Sequence, residues 1–114
     1  RLNTTIEDGR DAYLLVGSMS ACQEAARKAA QDARNALGNA KPALVLVLVD
    51  IAWQMLFESQ PGTELNPIRE VLGPDVPILG GYTLGQIIPG ADSATPKFLN
   101  QHMSVIVIGE PEEE

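Results

Sequence analysis

The chain has 114 residues, of which 45% are hydrophobic and 20% are charged, and this balance is ordinary for a single globular domain. Eight basic residues against fifteen acidic ones give a net charge of −7, and no basic cluster is present, so we expect no nucleic-acid partner. The longest apolar run, Ala43 to Val49, is far shorter than the roughly 20 residues of a membrane-spanning helix, so we expect no membrane partner.

The chain contains one cysteine, Cys22, and one histidine, His102. A single cysteine forms no internal disulfide and is typical of a reducing compartment, so we expect a cytoplasmic location. One Cys and one His, without a phosphate-binding glycine loop or a nucleophile elbow, predict no metal, no cofactor and no catalytic residue. We interpret Cys22 as a small core residue, and an enzyme that uses Cys22 or His102 is the least supported alternative.

The first half of the chain predicts a strand, a helix and a second strand. Residues 11–17, D-A-Y-L-L-V-G, are short, apolar and typical of a strand. A helix capped by Ser18 or Ser20 runs to about Leu37, and its small apolar side chains suit close packing against a sheet. Residues 43–49, A-L-V-L-V-L-V, have no polar alternation and predict a strand that is covered on both faces. We therefore predict a parallel βαβ unit and an α/β fold.

Asp50 ends the second strand, and ligands of open α/β sheets bind beyond the carboxyl ends of strands. Asp50 is therefore a candidate acceptor for a ligand amine or hydroxyl, although capping of the next helix is the favoured interpretation. Trp53 lies three residues further on and forms either the wall of a pocket or a packing anchor.

Glycines interrupt the apolar stretch 76–88, V-P-I-L-G-G-Y-T-L-G-Q-I-I, which follows a short helix at 66–73. Glycine in a strand marks a bulge, a bend or the close approach of another group. Polar Thr83 and Gln86 lie among the glycines. The stretch is interpreted either as a bent strand with a satisfied buried threonine or as a surface presented for binding.

Residues 98–109 predict a last strand that pairs antiparallel with residues 82–88, because no helix lies between them. The polar residues Asn100 and His102 would then lie near the loop end of this hairpin. The predicted fold is a mixed β-sheet with a βαβ unit, flanking helices and a C-terminal antiparallel hairpin. The acidic residues 110–114 read as the start of a linker.

Two stretches follow the motif order of a known family. In the first, Gly81, Tyr82, Thr83, Gly85 and Ile87 fit a Gly-aromatic-Thr-aromatic-Gly-Glu-Ile pattern behind a short helix and a Val-Pro strand. In the second, Phe98, Asn100 and Gln101 fit a Phe-His-Asn-Gln-Thr segment before the last strand. The chain from about Asp11 to Gly109 thus resembles the C-terminal FIST domain, a sensory module of bacterial signal transduction proteins.

The departures from the family pattern fall on polar positions. Gln86 stands where the family has Glu, Leu99 where it has His, and His102 where it has Thr. Residues 49–53, V-D-I-A-W, replace a Ser-Cys-x-Gly-Arg-like segment, so an acid and an indole stand in place of a thiol and a cation. The polar contacts of the family pocket are therefore altered, which implies a different ligand or none.

The resemblance implies a domain over residues 1–109, N-terminally incomplete, that senses a small polar metabolite such as an amino acid. It would signal by a shift between two conformations to an output domain in the same chain. The expected ligand-binding residues are Asp50, Trp53, Gly80, Gly81, Tyr82, Thr83, Gly85, Gln86, Asn100 and His102. The alternative is a non-catalytic protein–protein interaction domain that has lost ligand binding and in which the apolar strands support dimerisation. An edge strand exposed by the missing N-terminal part would also favour a homodimer.

Overall fold

The computed structural model describes residues 5–14, 16–90 and 95–110. Residues 111–114 of the predicted linker lie outside the described residues. The helices and strands, in chain order, are α1 (Met19–Leu37), β1 (Pro42–Asp50), α2 (Ile51–Leu56), a 3-10 turn (Thr63–Leu65), α3 (Asn66–Leu72), β2 (Ile78–Thr83), β3 (Gln86–Ile88), β4 (Lys97–Leu99) and β5 (Met103–Gly109).

The fold is α/β, as predicted. A mixed sheet has the strand order β2-β1-β5, with β1 parallel to β2 and antiparallel to β5. The short strands β3 and β4 form a separate antiparallel hairpin, which confirms the C-terminal hairpin. The parallel pair β1 and β2 is joined through α2 and α3, so the βαβ unit lies in the middle of the chain rather than at its start.

The predicted strand at residues 11–17 is wrong for the residues of this range that the structure describes. None of them is in a strand, and Tyr13, Leu14 and Val16 are 85%, 91% and 82% exposed. An apolar extended segment becomes a strand only when an edge accepts its hydrogen bonds, and both edges of β1 are occupied by β2 and β5. The parallel partner of β1 is therefore β2, not residues 11–17.

The predicted last strand is divided in two. Its first part, β4, pairs with β3 as expected, whereas β5 pairs with β1 across the sheet. Gln101 lies between the two parts with a φ of 53°, a left-handed conformation that interrupts an extended strand. The longer apolar run of β5 thus joins the central sheet instead of extending the hairpin.

The helix α1 begins after Ser18, whose side chain accepts a hydrogen bond from the backbone N–H of Ala21 at 3.1 Å. Ser18 is therefore the cap, and Ser20 is not. Ala26 and Ala30 are fully buried, and these small side chains let α1 lie close to β5 and α3. The expected close packing of this helix against a sheet is confirmed.

The central sheet is covered on one face. Val45, Val47 and Val49 are buried beneath α1 and α3, together with Phe57 and Ile68. The opposite face carries partly exposed side chains, namely Leu44, Leu46, Leu48, Leu79, Ile106 and Ile108. The prediction that both faces of residues 43–49 are covered is thus wrong for the described residues, because the three helices pack on the same side.

Candidate functional site

The carboxylate of Asp50 is used within the fold. One oxygen accepts from the backbone N–H of Ala52 at 2.9 Å and so caps α2. The other accepts from the backbone N–H of Gly85 at 3.1 Å, which ties the turn after β2 to the end of β1. Asp50 is buried, and each oxygen has a partner. These contacts agree with the capping interpretation of Asp50.

Gln86 is the centre of a buried hydrogen-bond network. Its side-chain NH2 group, which carries two hydrogens, lies within hydrogen-bond distance of three acceptors: the backbone carbonyls of Leu48 at 2.9 Å and His102 at 3.2 Å, and the hydroxyl of Thr83 at 3.2 Å. Its side-chain oxygen accepts from the hydroxyl of Ser104 at 2.6 Å. The amide thus joins β1, the hairpin and β5, and its hydrogen-bonding groups are occupied by the protein itself.

The other polar residues predicted beyond β1 lie around the same place. The hydroxyl of Thr83 also donates to the backbone carbonyl of Val49 at 3.4 Å, and His102 is half-buried. Asn100 is exposed and lines an open cleft of about 370 Å³ together with Asp50 and Gly85. The structure therefore brings these predicted residues together. The side chains of Thr83 and Gln86 form hydrogen bonds within the protein, and neither residue lines this cleft.

Trp53 is a packing anchor. It is buried, its indole N–H donates to the backbone carbonyl of Gln101 at 3.1 Å, and its ring stacks on Phe57 with centroids 6.2 Å apart. An indole with a satisfied N–H and an apolar neighbour contributes to the core. This geometry agrees with the packing interpretation and places Trp53 apart from the described clefts.

Glu64 and Tyr82 form a second polar site, on the other side of β2. Glu64 is only 2% exposed, and one of its carboxylate oxygens accepts a 2.6 Å hydrogen bond from the Tyr82 hydroxyl. Its other oxygen, Oε2, is buried and receives no hydrogen bond from any described residue. A buried carboxylate oxygen without a donor is rare and costly, so this atom is an unsatisfied acceptor that a small local movement would have to expose before a ligand could pair with it.

Two adjoining clefts open on this carboxylate, and we call them together the Glu64 cleft. The first has a volume of about 220 Å³ and mainly apolar walls that include Val47, Val49, Ile78 and Leu79. The second has a volume of about 420 Å³, within the size range of ligand pockets, and is lined by Gln54, Met55, Phe57, Glu58 and Pro61. Glu64 and Tyr82 belong to both.

Gly80 and Gly81 form part of the first cleft and differ in what surrounds them. A Cβ atom on Gly80 would lie 1.8 Å from the carbonyl oxygen of Val47, whereas one on Gly81 would meet nothing within 4 Å. Gly80 therefore permits the close parallel pairing of β2 with β1, and Gly81 leaves space in the cleft.

The hydrogen bond to Glu64 raises the pKa of Tyr82 to about 12, and burial of the phenol and the negative charge of Glu64 act in the same direction. The phenol therefore stays protonated at neutral pH and donates to Glu64. The Glu64 cleft therefore lies beside a carboxylate with one oxygen hydrogen-bonded to Tyr82 and the other one buried without a donor among the described residues.

Sequence reasoning found part of this site. It selected Gly80, Gly81 and Tyr82, but it did not select Glu64. Glu64 lies in a short 3-10 turn after Pro61 and Gly62, where an acid normally faces solvent. No residue pattern distinguishes Glu64 from the other surface acids, because its burial depends on α1 and α3 packing against its turn and on Tyr82 of β2 lying beside its carboxylate.

The remaining candidates for chemistry are few. Cys22 is half-buried, and burial raises the pKa of its thiol, which lowers the fraction of reactive thiolate. In the described part of the chain, no three His, Cys, Asp or Glu residues are grouped in a way that could hold a metal ion. Over the same residues, no helix has the length and apolar character needed to cross a membrane.

Comparison of the chain with protein-family models, with curated proteins and with solved structures gave no match. The likeness of residues 66–88 to the FIST domain therefore remains a resemblance of motif order and spacing.

Proposed function

We propose that the chain is a small-molecule-sensing domain of a multidomain bacterial signal transduction protein, and that its ligand binds in the Glu64 cleft. The observation that carries the proposal is the buried carboxylate oxygen Oε2 of Glu64, which has no donor among the described residues. Because folding leaves this acceptor unpaired, a donor brought by a ligand would relieve the cost of its burial.

The walls of the cleft favour a ligand with an ammonium group and a short aliphatic body. A cationic donor forms the strongest hydrogen bond with a buried carboxylate, and the apolar side chains of the first cleft suit an alkyl group. No described residue lining either cleft is Lys or Arg. The site would therefore recognise the ammonium end of an amino acid or amine, while a ligand carboxylate would stay in solvent.

Ligand binding would hold the turn that precedes α3 against strand β2. Glu64 lies in the turn before α3, and Tyr82 lies on β2. A ligand held by Glu64 would favour the conformation in which this turn stays against β2, and its differential affinity for that conformation would supply the signal. A cytoplasmic location and an output domain in the same chain belong to the proposal through the FIST resemblance.

A thermal-shift experiment with three related compounds tests the proposal. Isoamylamine, leucine and isovalerate share a branched alkyl group but carry an ammonium, both charges and a carboxylate, respectively. Isoamylamine at about a hundredfold excess over its dissociation constant should stabilise the fold by about 2.7 kcal/mol, leucine should bind more weakly, and isovalerate should give no shift.

Two variants locate the site. Glu64→Gln should abolish the shift with isoamylamine, because an amide lacks the charge and places a donor where the ligand needs an acceptor. Glu58→Gln changes an exposed acid that lines the same cleft and should keep the shift. No response to either amine, or a response unchanged in Glu64→Gln, would refute the proposed site.

The alternative of a protein–protein interaction domain is favoured by one specific observation, the uncovered face of the sheet. Leu48, Ile106 and Ile108 are between 39% and 48% exposed on neighbouring strands, and contiguous exposed apolar patches are typical of interaction surfaces. Binding to this face does not involve Glu64. A chain that ignores all three compounds yet self-associates would support the alternative.

A further inference from the structure

In the part of the chain that the structure describes, an apolar segment and a strand edge both lack a strand partner. Residues 11–17 include Tyr13, Leu14 and Val16, which are all strongly exposed, and this sequence is typical of a strand. In the sheet order β2-β1-β5, the outer edge of β5 has no hydrogen-bonded neighbour among the described strands. A free apolar strand edge is a template for pairing with another chain.

We propose that residues 11–17 of one copy add as a strand to the open edge of β5 in a second copy, and that the exchange is reciprocal and forms a homodimer. This proposal is independent of ligand binding at Glu64. It commits to a second copy because the described residues of the segment do not pack on the sheet of their own chain.

The lengths of the two partners match. Both the segment and β5, Met103–Gly109, have seven residues, which corresponds to about 23 Å of strand. A strand beside β5 presents alternate side chains to the two faces of the sheet. Leu14 and Val16 would lie on one face and Tyr13 on the other, and both faces next to β5 are apolar, with α1 on one side and Ile106 and Ile108 on the other.

The connection to α1 favours this position. A strand that adds antiparallel to β5 runs parallel to β1, and α1 lies on the same face of the sheet as α3. The crossover from such a strand through α1 to β1 has the same hand as the crossover from β1 through α3 to β2, as expected for parallel units. The added strand therefore obeys the connection rule at the edge of β5.

The short hinge favours exchange between copies. Only Gly17 and Ser18 separate the apolar part of the segment from the first residue of α1, Met19. Short hinge loops promote domain swapping, and the described residues of the segment lie exposed rather than against the edge of β5 in their own chain. Reciprocal exchange then pairs the open edge of β5 in both copies.

Sedimentation equilibrium of the 114-residue chain tests the proposal, with hydrogen exchange as a second measurement. The wild-type chain should be a dimer, and the backbone amides of Met103–Gly109 should become more protected as the concentration rises. Leu14→Pro removes a strand donor and should raise the dimer dissociation constant at least about tenfold. Ile6→Pro, the same change in the same tail but outside the segment, should leave it unchanged.

A second variant distinguishes exchange from other dimers. Inserting Gly-Ser-Gly-Ser between Gly17 and Ser18 lengthens the hinge, so the segment should reach β5 of its own chain and the protein should become monomeric. Circular dichroism of each variant checks that the helices remain folded. A monomeric wild-type chain, a dimer as tight in Leu14→Pro, or a dimer retained after the insertion would overturn the proposal.

Discussion

Two buried polar regions flank β2, and they differ in whether the protein satisfies its own hydrogen bonds. At the end of β1, Asp50 and Gln86 use their side-chain groups within the fold. On the other side, Glu64 is equally buried, but among the described residues one of its oxygens bonds to Tyr82 and the other has no donor. The density of polar residues therefore marks structural connections, and the unsatisfied acceptor beside a cleft marks the proposed binding site.

The largest expected loss of stability comes from removing the Gln86 side chain, which belongs to the region that satisfies its own hydrogen bonds. Gln86→Leu removes the bonds of Gln86 to the carbonyl of Leu48 and the hydroxyl of Ser104, and one of the two donors to the carbonyl of His102, which also accepts from the N–H of Asp50. We therefore expect a loss of about 2–3 kcal/mol of unfolding free energy. Urea unfolding monitored by circular dichroism measures it. Gln54→Leu, an exposed glutamine on α2, is the control and should change stability by less than about 0.5 kcal/mol. Equal effects of the two would show that the network contributes little.

Asp50 should have the next largest effect. Asp50→Ala removes the cap of α2 and the acceptor for Gly85, so unfolding free energy should fall by about 1–2 kcal/mol. Asp50→Asn retains an oxygen that accepts from Ala52, but it places an NH2 group opposite the N–H of Gly85, which then has no acceptor. Its unfolding free energy should lie between those of Asp50→Ala and the wild type. A stability unchanged in Asp50→Ala would mean that the carboxylate is free for a ligand after all.

Glu64 should contribute little to stability although it is as buried as Gln86. Glu64→Leu removes one hydrogen bond with Tyr82 but also removes a buried oxygen that has no donor. The two effects oppose each other, so we expect a change within about 1 kcal/mol in the same urea experiment. A loss as large as that of Gln86→Leu would show that the carboxylate is structural, and it would remove the contrast between the two regions.

The titration of Tyr82 has the smallest expected effect on stability, but it reports directly on the hydrogen bond between Tyr82 and Glu64. Its phenol should titrate near pH 12 in the wild type and return towards the ordinary value of about 10 in Glu64→Leu. Because the folded-state pKa is raised, the stabilisation is present below about pH 10 and is lost as the pH rises through about 12. Phenolate absorbance, with Tyr82→Phe subtracted to isolate this residue, provides the measurement, and identical curves for wild type and Glu64→Leu would contradict it.

The secondary structure was readable where one local signal dominated. The helix α1 followed from a cap and a run of small residues, and β1 followed from an uninterrupted apolar run. Residues 11–17 carried an equally good strand signal but remain unpaired in the described structure. Strand formation depends on pairing with a particular edge, and β1, the partner predicted for this segment, is already paired on both sides by β2 and β5.

The polar cluster beyond β1 was predictable in position but not in role. The topology rule for α/β sheets selected Asp50, the glycine-rich stretch and its FIST resemblance selected Thr83 and Gln86, and the structure brings the three residues close together. Whether such groups bind a ligand depends on how many of their hydrogen bonds the protein already makes. That count requires three-dimensional partners such as Ser104 and the carbonyl of His102.

The amino-acid sequence by itself determined the α/β class, the helix α1, the central strand and the glycines at which β2 approaches its neighbour, because each follows from local composition and periodicity. Only the tertiary structure decided which strands pair, which face of the sheet is left uncovered and that Glu64 is buried beside Tyr82. These features arise from contacts between residues far apart in the chain, and no local pattern encodes a burial that three separate elements create together.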